Sequence, residues 1–342
     1  MAEHTSVQQI LKDLVHGTAP PRPLFVPIVF ALGSRIENLS LRAFLANPTR
    51  ISNSLRQTRP HLRSDGVSCY FDPLLEAEAL GGTLEWRSDN EPPALRWASA
   101  PEPGRLPAVL RSPDEMLTLG RMSVALEVIR RLKALLREEF LLVAGVSGPF
   151  TLASRLSGLC GDARPPARMD PPNSALEVAT SAVAQASKAF AEAGANLIFL
   201  REDTLPATPA ETLEEWGAML APIFNILHFY EAQPVLQIAD ERLLAENPEV
   251  ILQLAENCVV CLPLEAIQNA PAEKYSAMRF AKLGIGLPAA AFQPDQSGDA
   301  SFHARLAQLI SDVQPAIVTT VSDVPAATDF KRLAAISEIV RR

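Results

Sequence analysis

Three stretches of the chain set polar or charged side chains directly behind apolar runs, a pattern that places reactive groups at the ends of buried strands. CYFDPLLEAEALG puts Asp72 after such a run, with Glu76 and Glu78 close behind. LIFLREDTLP gathers Arg201, Glu202 and Asp203, and VLQIADE brings Gln237 and Asp240. A carboxylate desolvated by an apolar wall has a shifted pKa and can serve as a general acid or base, or can hold a cationic or N–H-bearing substrate. The competing reading is a helix cap, in which the carboxylate accepts from free N–H groups of the next helix. For Asp203 and Asp240 the two readings weigh the same. Asp72 precedes Pro73 at a strand end, and there the position favours chemistry.

The usual metal ligands offer less. Four cysteines make no disulfide framework in a chain of 342 residues. Cys258 and Cys261 form a C-x-x-C, but inside a β-branched run without a second ligand pair, where cysteine packs as a small hydrophobe. The histidines, His4, His16, His61, His228 and His303, fall mostly in helix-like segments; His228 is near enough in sequence to approach a strand, yet a lone helical histidine is more often structural.

The elements that must position these groups repeat. Eight short apolar runs begin at Leu24, Gly66, Leu141, Ala195, Pro234, Cys258, Lys282 and Ala316. Their near-continuous hydrophobicity suits strands covered on both faces. Helical periodicity is expected over 39–62, 112–138, 173–193, 210–230, 243–257, 264–279, 301–313 and 325–341. This is the pattern of an α/β protein, and eight alternations favour a closed (β/α)8 TIM barrel. The competitor, a doubly wound open sheet, lacks its usual support, since no G-x-G-x-x-G follows the first strand.

Residues 82–110 break the rhythm with Pro92, Pro93, Pro101, Pro103 and Pro107, and space Trp86 and Trp97 as if on two strands of a hairpin. They read as an insertion after the second strand, where a loop overhangs the face on which such barrels work, as a lid or a dimer contact. The irregular stretch from Gly161 to Asn173 can join it. With no repeat or linker-like tract, 1–342 reads as one domain with a helical extension over 1–22.

Composition narrows the partners. A net charge of −8 gives no electrostatic footprint for nucleic acid or an anionic membrane. The start, MAEHTSVQQILKDLVHG, has the charges of an amphipathic helix rather than the apolar centre of a signal peptide, and no run reaches the length of a membrane span. A cytoplasmic protein acting on a small molecule is expected.

CYFDPLLEAEALGG from Cys69, SGPFTLASRLSG from Ser147 and AEAGANLIFLRED from Ala191 resemble three signature stretches of the uroporphyrinogen decarboxylase family. That superfamily holds the haem-pathway decarboxylase, corrinoid:thiol methyltransferases and, more distantly, zinc methionine synthases. The resemblance runs from about Pro23 to the C-terminus; it implies a (β/α)8 barrel and, from the decarboxylase, a homodimer. It matches Asp72 to the family's catalytic aspartate and sets Arg35 near a substrate-binding arginine of the first loop. The tandem R-Q-A-G-R-Y of that loop is absent, Arg155 replaces a tyrosine, and no histidine lies near the eighth strand, which argues against uroporphyrinogen itself as substrate.

The first-loop pattern and EAEALG look closer to the methyltransferase branch, which holds zinc through a histidine and a cysteine on the fifth strand and a cysteine after the eighth. The corresponding positions here are Gln237, Ala239 and Ser322, and an amide, a methyl and a hydroxyl do not replace those ligands. The leading expectation is thus a metal-free, cofactor-independent decarboxylase or C–C lyase. Asp72 would be catalytic, and Arg35, Glu76, Arg155, Glu202, Asp203 and Gln237 would bind a carboxylated molecule. The alternative is a methyltransferase or demethylase component working with a corrinoid protein, or with cobalamin, without the usual zinc. A third reading is a ligand-binding relative without chemistry.

Overall fold

The computed structural model describes residues 6–98, 106–136, 138–158, 175–203, 205, 210–239, 248–269, 282–293, 299–326 and 328–341. Its ten strands are β1 (Leu24–Phe25), β2 (Gly66–Tyr70), β3 (Thr83–Glu85), β4 (Ala94–Arg96), β5 (Leu141–Ser147), β6 (Leu197–Glu202), β7 (Gln233–Ile238), β8 (Val259–Pro263), β9 (Leu283–Leu287) and β10 (Ile317–Thr320). Eight of them form one sheet in the order β1-β10-β9-β8-β7-β6-β5-β2, parallel throughout. The two outer members meet: the Asp65 amide donates to the Phe25 carbonyl at 2.8 Å, and the Ser68 hydroxyl donates to the Pro27 carbonyl at 3.2 Å. The sheet therefore curls into a nearly closed (β/α)8 barrel, and the open doubly wound alternative is set aside.

All eight expected strands are present. The first is shorter than its apolar run because Pro27 has no N–H to give the ladder; beyond it the Ile28 amide turns to the Thr320 hydroxyl at 3.0 Å. Below the barrel, Asp65 holds the start of β1, taking two bonds from Arg22 at 2.7 and 2.8 Å and one from the Phe25 amide at 2.8 Å, and it pairs with Arg341 at 3.5 Å. The extension contains α1 (Val7–Val15), capped by the Ser6 hydroxyl and burying Ile10, Leu11 and Leu14.

The outer layer includes α2 (Leu32–Ile36), α3 (Leu41–Leu45), α4 (Pro48–Leu62), α5 (Leu75–Ala79), α6 (Pro113–Met116), α7 (Gly120–Leu136), α8 (Pro149–Leu156), α9 (Ala175–Ala193) and α10 (Ala210–Phe229). Further helices follow at Pro248–Ala255, Leu264–Asn269, Asp299–Val313 and Phe330–Val340. Two of the expected helices are split. Asn47 caps a new helix with Pro48 at its first position, dividing 39–62. Gly120, at φ 49°, divides 112–138, in a region of backbone space that favours glycine. Between β2 and α6, β3 and β4 pair antiparallel as a hairpin whose strands are followed directly by Trp86 and Trp97. The Trp97 indole donates to the Arg155 carbonyl at 3.1 Å, which seats the hairpin on the C-terminal face of the barrel. All of 161–173, and residues 99–105 of the hairpin stretch, lie outside the described residues.

Candidate active site

The pleat of β6 divides its polar end. Glu202 points outward and is fully buried against the start of α8, accepting from the Phe150 amide at 3.2 Å, the Thr151 amide at 2.9 Å and the Thr151 hydroxyl at 2.8 Å. Gly148, at the helix start, makes room for it: a Cβ there would run into the Glu202 carboxyl. Burial pushes the Glu202 pKa up to about 7, opposed by the Thr151 and Phe150 donors and aided by nearby Asp203. Glu202 therefore caps a helix, though α8 from the preceding unit rather than the next helix in the chain.

Arg201, one residue earlier, points into the barrel mouth. Its Nε donates to Gln237 Oε1 at 3.2 Å, and its Nη2 donates to Asp203 Oδ1 and the Val321 carbonyl, both at 3.2 Å. The guanidinium lies 5.0 Å from the Phe71 ring centroid, a cation–π arrangement that fixes its plane. Arg155, from α8, reaches Asp203 Oδ2 at 3.0 Å and the Ser147 hydroxyl at 2.7 Å. Asp203 thus bridges two arginines. Behind Ser147 sits Glu76, fully buried, accepting from the Ser147 hydroxyl at 2.8 Å and amide at 3.3 Å; burial raises its pKa against those bonds.

Asp72, at the end of β2, is already engaged. One oxygen accepts from the Leu74 amide at 2.8 Å, and the other is paired with Arg121 of α7. Arg121 also binds Glu78 at 2.5 Å, so one buried guanidinium serves two carboxylates. On the opposite wall Asp323, three residues past β10, takes the Phe30 amide at 2.8 Å and the Ala31 amide at 2.7 Å. Burial pushes its pKa up to about 7, against those amides and Arg201.

These groups border one cleft of about 560 Å³, with Asp72, Arg155, Arg201, Asp203, Ser322 and Asp323 around its polar part. Its apolar walls come from Phe30, Leu41, Leu45, Phe71, Leu74 and the hairpin residues Pro92 and Pro93. Of the site residues expected from the sequence, Asp72, Arg155 and Asp203 line the cleft, and Gln237 stands beneath it, bonded to Arg201. Glu76 and Glu202 lie behind it and hold Ser147 and α8 in place. Arg35 is not among the described residues that line it; exposed on α2, it donates to the Ala326 carbonyl. Sequence reasoning missed Arg121 and Asp323, and it saw Arg201 only as one of three polar neighbours. The signal for Asp323 was present in TVSDVP, a carboxylate directly behind the last strand.

Asp240 lies outside the described residues. Cys258 and Cys261 are buried, with thiol pKa values pushed up by burial, as packing residues. His228 is part-buried on α10, its pKa lowered first by burial. Among the described residues no group of three or more His, Cys, Asp or Glu is placed to hold a metal ion. No helix among them is long and apolar enough to cross a membrane.

A parallel eight-stranded barrel with charged groups at the C-terminal ends of its strands has the architecture of a barrel enzyme. The family model of uroporphyrinogen decarboxylase (URO-D) matches residues 11–217, more than half of the chain, and the chain belongs to that family. A methylated-thiol–coenzyme M methyltransferase from Methanosarcina mazei is 29% identical over 150 residues, 43% of this chain and only 39% of that protein's length. Among solved structures, a methyltransferase from Methanosarcina mazei shares the fold at a TM-score of 0.75 and 16% identity, with 98% of each chain covered. A putative vitamin-B12 independent methionine synthase from Listeria monocytogenes gives 0.50 at 14% identity, covering 94% of this chain and 95% of that one.

Proposed function

We propose that the chain is a methyl-transferring component that moves a methyl group between a small molecule in the mouth cleft and a corrinoid carried by a partner protein. The observation that carries this over the decarboxylase reading is the state of Asp72. A lyase of the expected kind asks that carboxylate to face the substrate as proton donor or lone electrostatic partner, and here each of its oxygens already has one partner, Arg121 on one and the Leu74 amide on the other. The methyltransferase relatives support the same choice.

A corrinoid carrier would supply the methyl group and keep the pair of the bond it gives up, and the new bond would use the substrate heteroatom's own pair. The heteroatom must arrive as an anion or a strong donor. Arg155 and Arg201 offer the positive field that favours such an anion, while the apolar walls shield it from water. The positions that the resemblance matches to zinc ligands, Gln237, Ala239 and Ser322, supply neither imidazole nor thiolate and so do not fit zinc.

The test is absorbance spectroscopy of free methylcobalamin, standing in for the carrier protein, mixed with the protein and a panel of small thiols. Thiol-dependent demethylation that needs the protein is the expected result. Carbon dioxide release from carboxylated ring compounds, with the corrinoid spectrum unchanged, would restore the lyase.

A further inference from the structure

Methyl transfer to a thiol releases a proton, which needs an acceptor in the cleft. Since Gln237, Ala239 and Ser322 do not fit zinc, making the sulfur a thiolate falls to the chain's own groups. Three carboxylates line the cleft, and their partners set them apart. Asp203 accepts from Arg155 at 3.0 Å on one oxygen and from Arg201 at 3.2 Å on the other. Asp72 shares buried Arg121 with Glu78. A carboxylate bonded to a guanidinium keeps its charge and is a weak base. Asp323 differs. Among the described residues no cation donates to it; its partners are neutral amides, that of Phe30 on Oδ1 at 2.8 Å and that of Ala31 on Oδ2 at 2.7 Å. Those amides hold the group from the segment after β1, each carboxylate oxygen can accept a further bond, and the part-buried side chain lines the cleft.

We propose that Asp323 is the general base that takes the proton of a thiol bound in the cleft. The inference rests on the methyl-transfer reading and adds to it the residue that activates the acceptor. In this step the S–H bond leaves its electron pair on sulfur and its proton on an Asp323 oxygen. Sulfur then uses that pair to bond the methyl group, and the pair of the broken methyl bond stays with the carrier. The carboxyl returns its proton to water once the thioether has left.

The strength of the base suits the task. A cysteine-like thiol has a pKa of about 8.5, and a carboxylate at the ordinary 3.8 of aspartate would take its proton too rarely. Burial pushes Asp323 up to about 7, against the Phe30, Ala31 and Val324 amides and the charge of Arg201. A base with a pKa close to the working pH is the most effective. Of the charged groups around it, Arg201 of β6 acts on it directly, without a hydrogen bond. Asp72, Arg155 and Asp203 are paired with other groups, and Arg35 of α2 donates to the Ala326 carbonyl.

The experiment follows demethylation of free methylcobalamin by the full chain against pH, with two weakly acidic thiols, 2-mercaptoethanol and ethanethiol. With Asp323 as base, the rate should rise through about pH 7 and level off for both thiols. A rise that continues towards the pKa of each thiol means that free thiolate is the reactant, and overturns the proposal. Asp323→Asn gives a second reading, with circular dichroism reporting its fold, because it leaves one of the two amides without an acceptor. It should lose about a hundredfold or more with 2-mercaptoethanol, the range of a general base, but at most about tenfold with the more acidic 2,2,2-trifluoroethanethiol, which depends less on one. Equal losses with both thiols would mark a structural role and overturn the proposal as well. The wild-type profiles decide even if the variant does not fold. No thiol-dependent demethylation at any pH removes the proposed function and the base with it; demethylation that tracks the acidity of the thiol removes the base alone.

Discussion

Arg121 holds the carboxylates of Asp72 and Glu78 together in a site where it is almost fully buried. Taking away the shared cation leaves two negative groups facing each other with little water to screen them, whereas taking away one carboxylate leaves Arg121 with a partner. Breaking a buried pair from one side costs about 3–5 kcal/mol. Arg121→Ala is therefore expected to lose stability on that order, and Asp72→Asn, which keeps the shape and an acceptor for the Leu74 amide, about 1–2 kcal/mol. Equilibrium urea unfolding of both variants measures this, and a larger loss for Asp72→Asn would show that the aspartate organises the pair. Asp72 was legible in the sequence because a carboxylate behind an apolar run is a local signal. Arg121 was not: it lies 49 residues further on, and nothing in GRMSVALEV marks it apart from a surface arginine. The same holds for Arg35, whose partner, the Ala326 carbonyl, is 291 residues away and was beyond local reasoning.

The strands were read correctly because burial on both faces writes itself into the sequence as continuous apolar runs. The short helices were harder to see, since five to eight residues carry too few turns for a period to show; α2 and α8 were both missed. Yet α8 carries Arg155, and its position depends on Glu202 fitting under Gly148. Gly148→Ala sets a methyl against a carboxyl that three hydrogen bonds hold in place. A loss of about 1–3 kcal/mol is expected, the usual range for overpacking, and with it slower thiol-dependent demethylation as Arg155 moves; thermal melting together with that absorbance assay would reveal both. A second element-level join is the seam beside β1, where only two residues pair with β10. Asp323 extends that join by accepting two amides from the segment after β1. Asp323→Ala should speed hydrogen exchange at Phe30 and Ala31 by about tenfold or more, since each lost carboxylate acceptor is worth about 1.5 kcal/mol or more. Unchanged exchange there would mean that the apolar packing of Phe30 alone keeps the seam shut.

For the molecule as a whole, these buried carboxylates set the direction in which pH acts. Glu202 and Asp323 each have a pKa pushed up by burial to about 7, from ordinary values of 4.5 and 3.8, and that of Glu76 is raised for the same reason. A raised carboxylate pKa means that the folded chain holds its protons more tightly than the unfolded chain does. The stabilisation is complete below the unfolded values and is lost as pH rises through about 7. Exposed Glu115, whose pKa is lowered by the Ser112 amide and hydroxyl, pulls the other way, but at lower pH and from the surface. The net charge of −8 adds self-repulsion on the alkaline side. The melting temperature is therefore expected to fall between about pH 5 and about pH 8, corresponding to at most about 5 kcal/mol in all, since about two pH units separate the bottom of that window from each of the two folded pKa values and one pKa unit is worth about 1.4 kcal/mol. A chain carrying both Glu202→Gln and Asp323→Asn, neutral at every pH in these two places, should show a flatter profile than the wild type and converge with it at the acid end. If the wild-type profile rises with pH, or if the double variant keeps the full slope, the two carboxylates are already ionised in the folded chain, and the N–H donors around them outweigh the burial that raises their pKa.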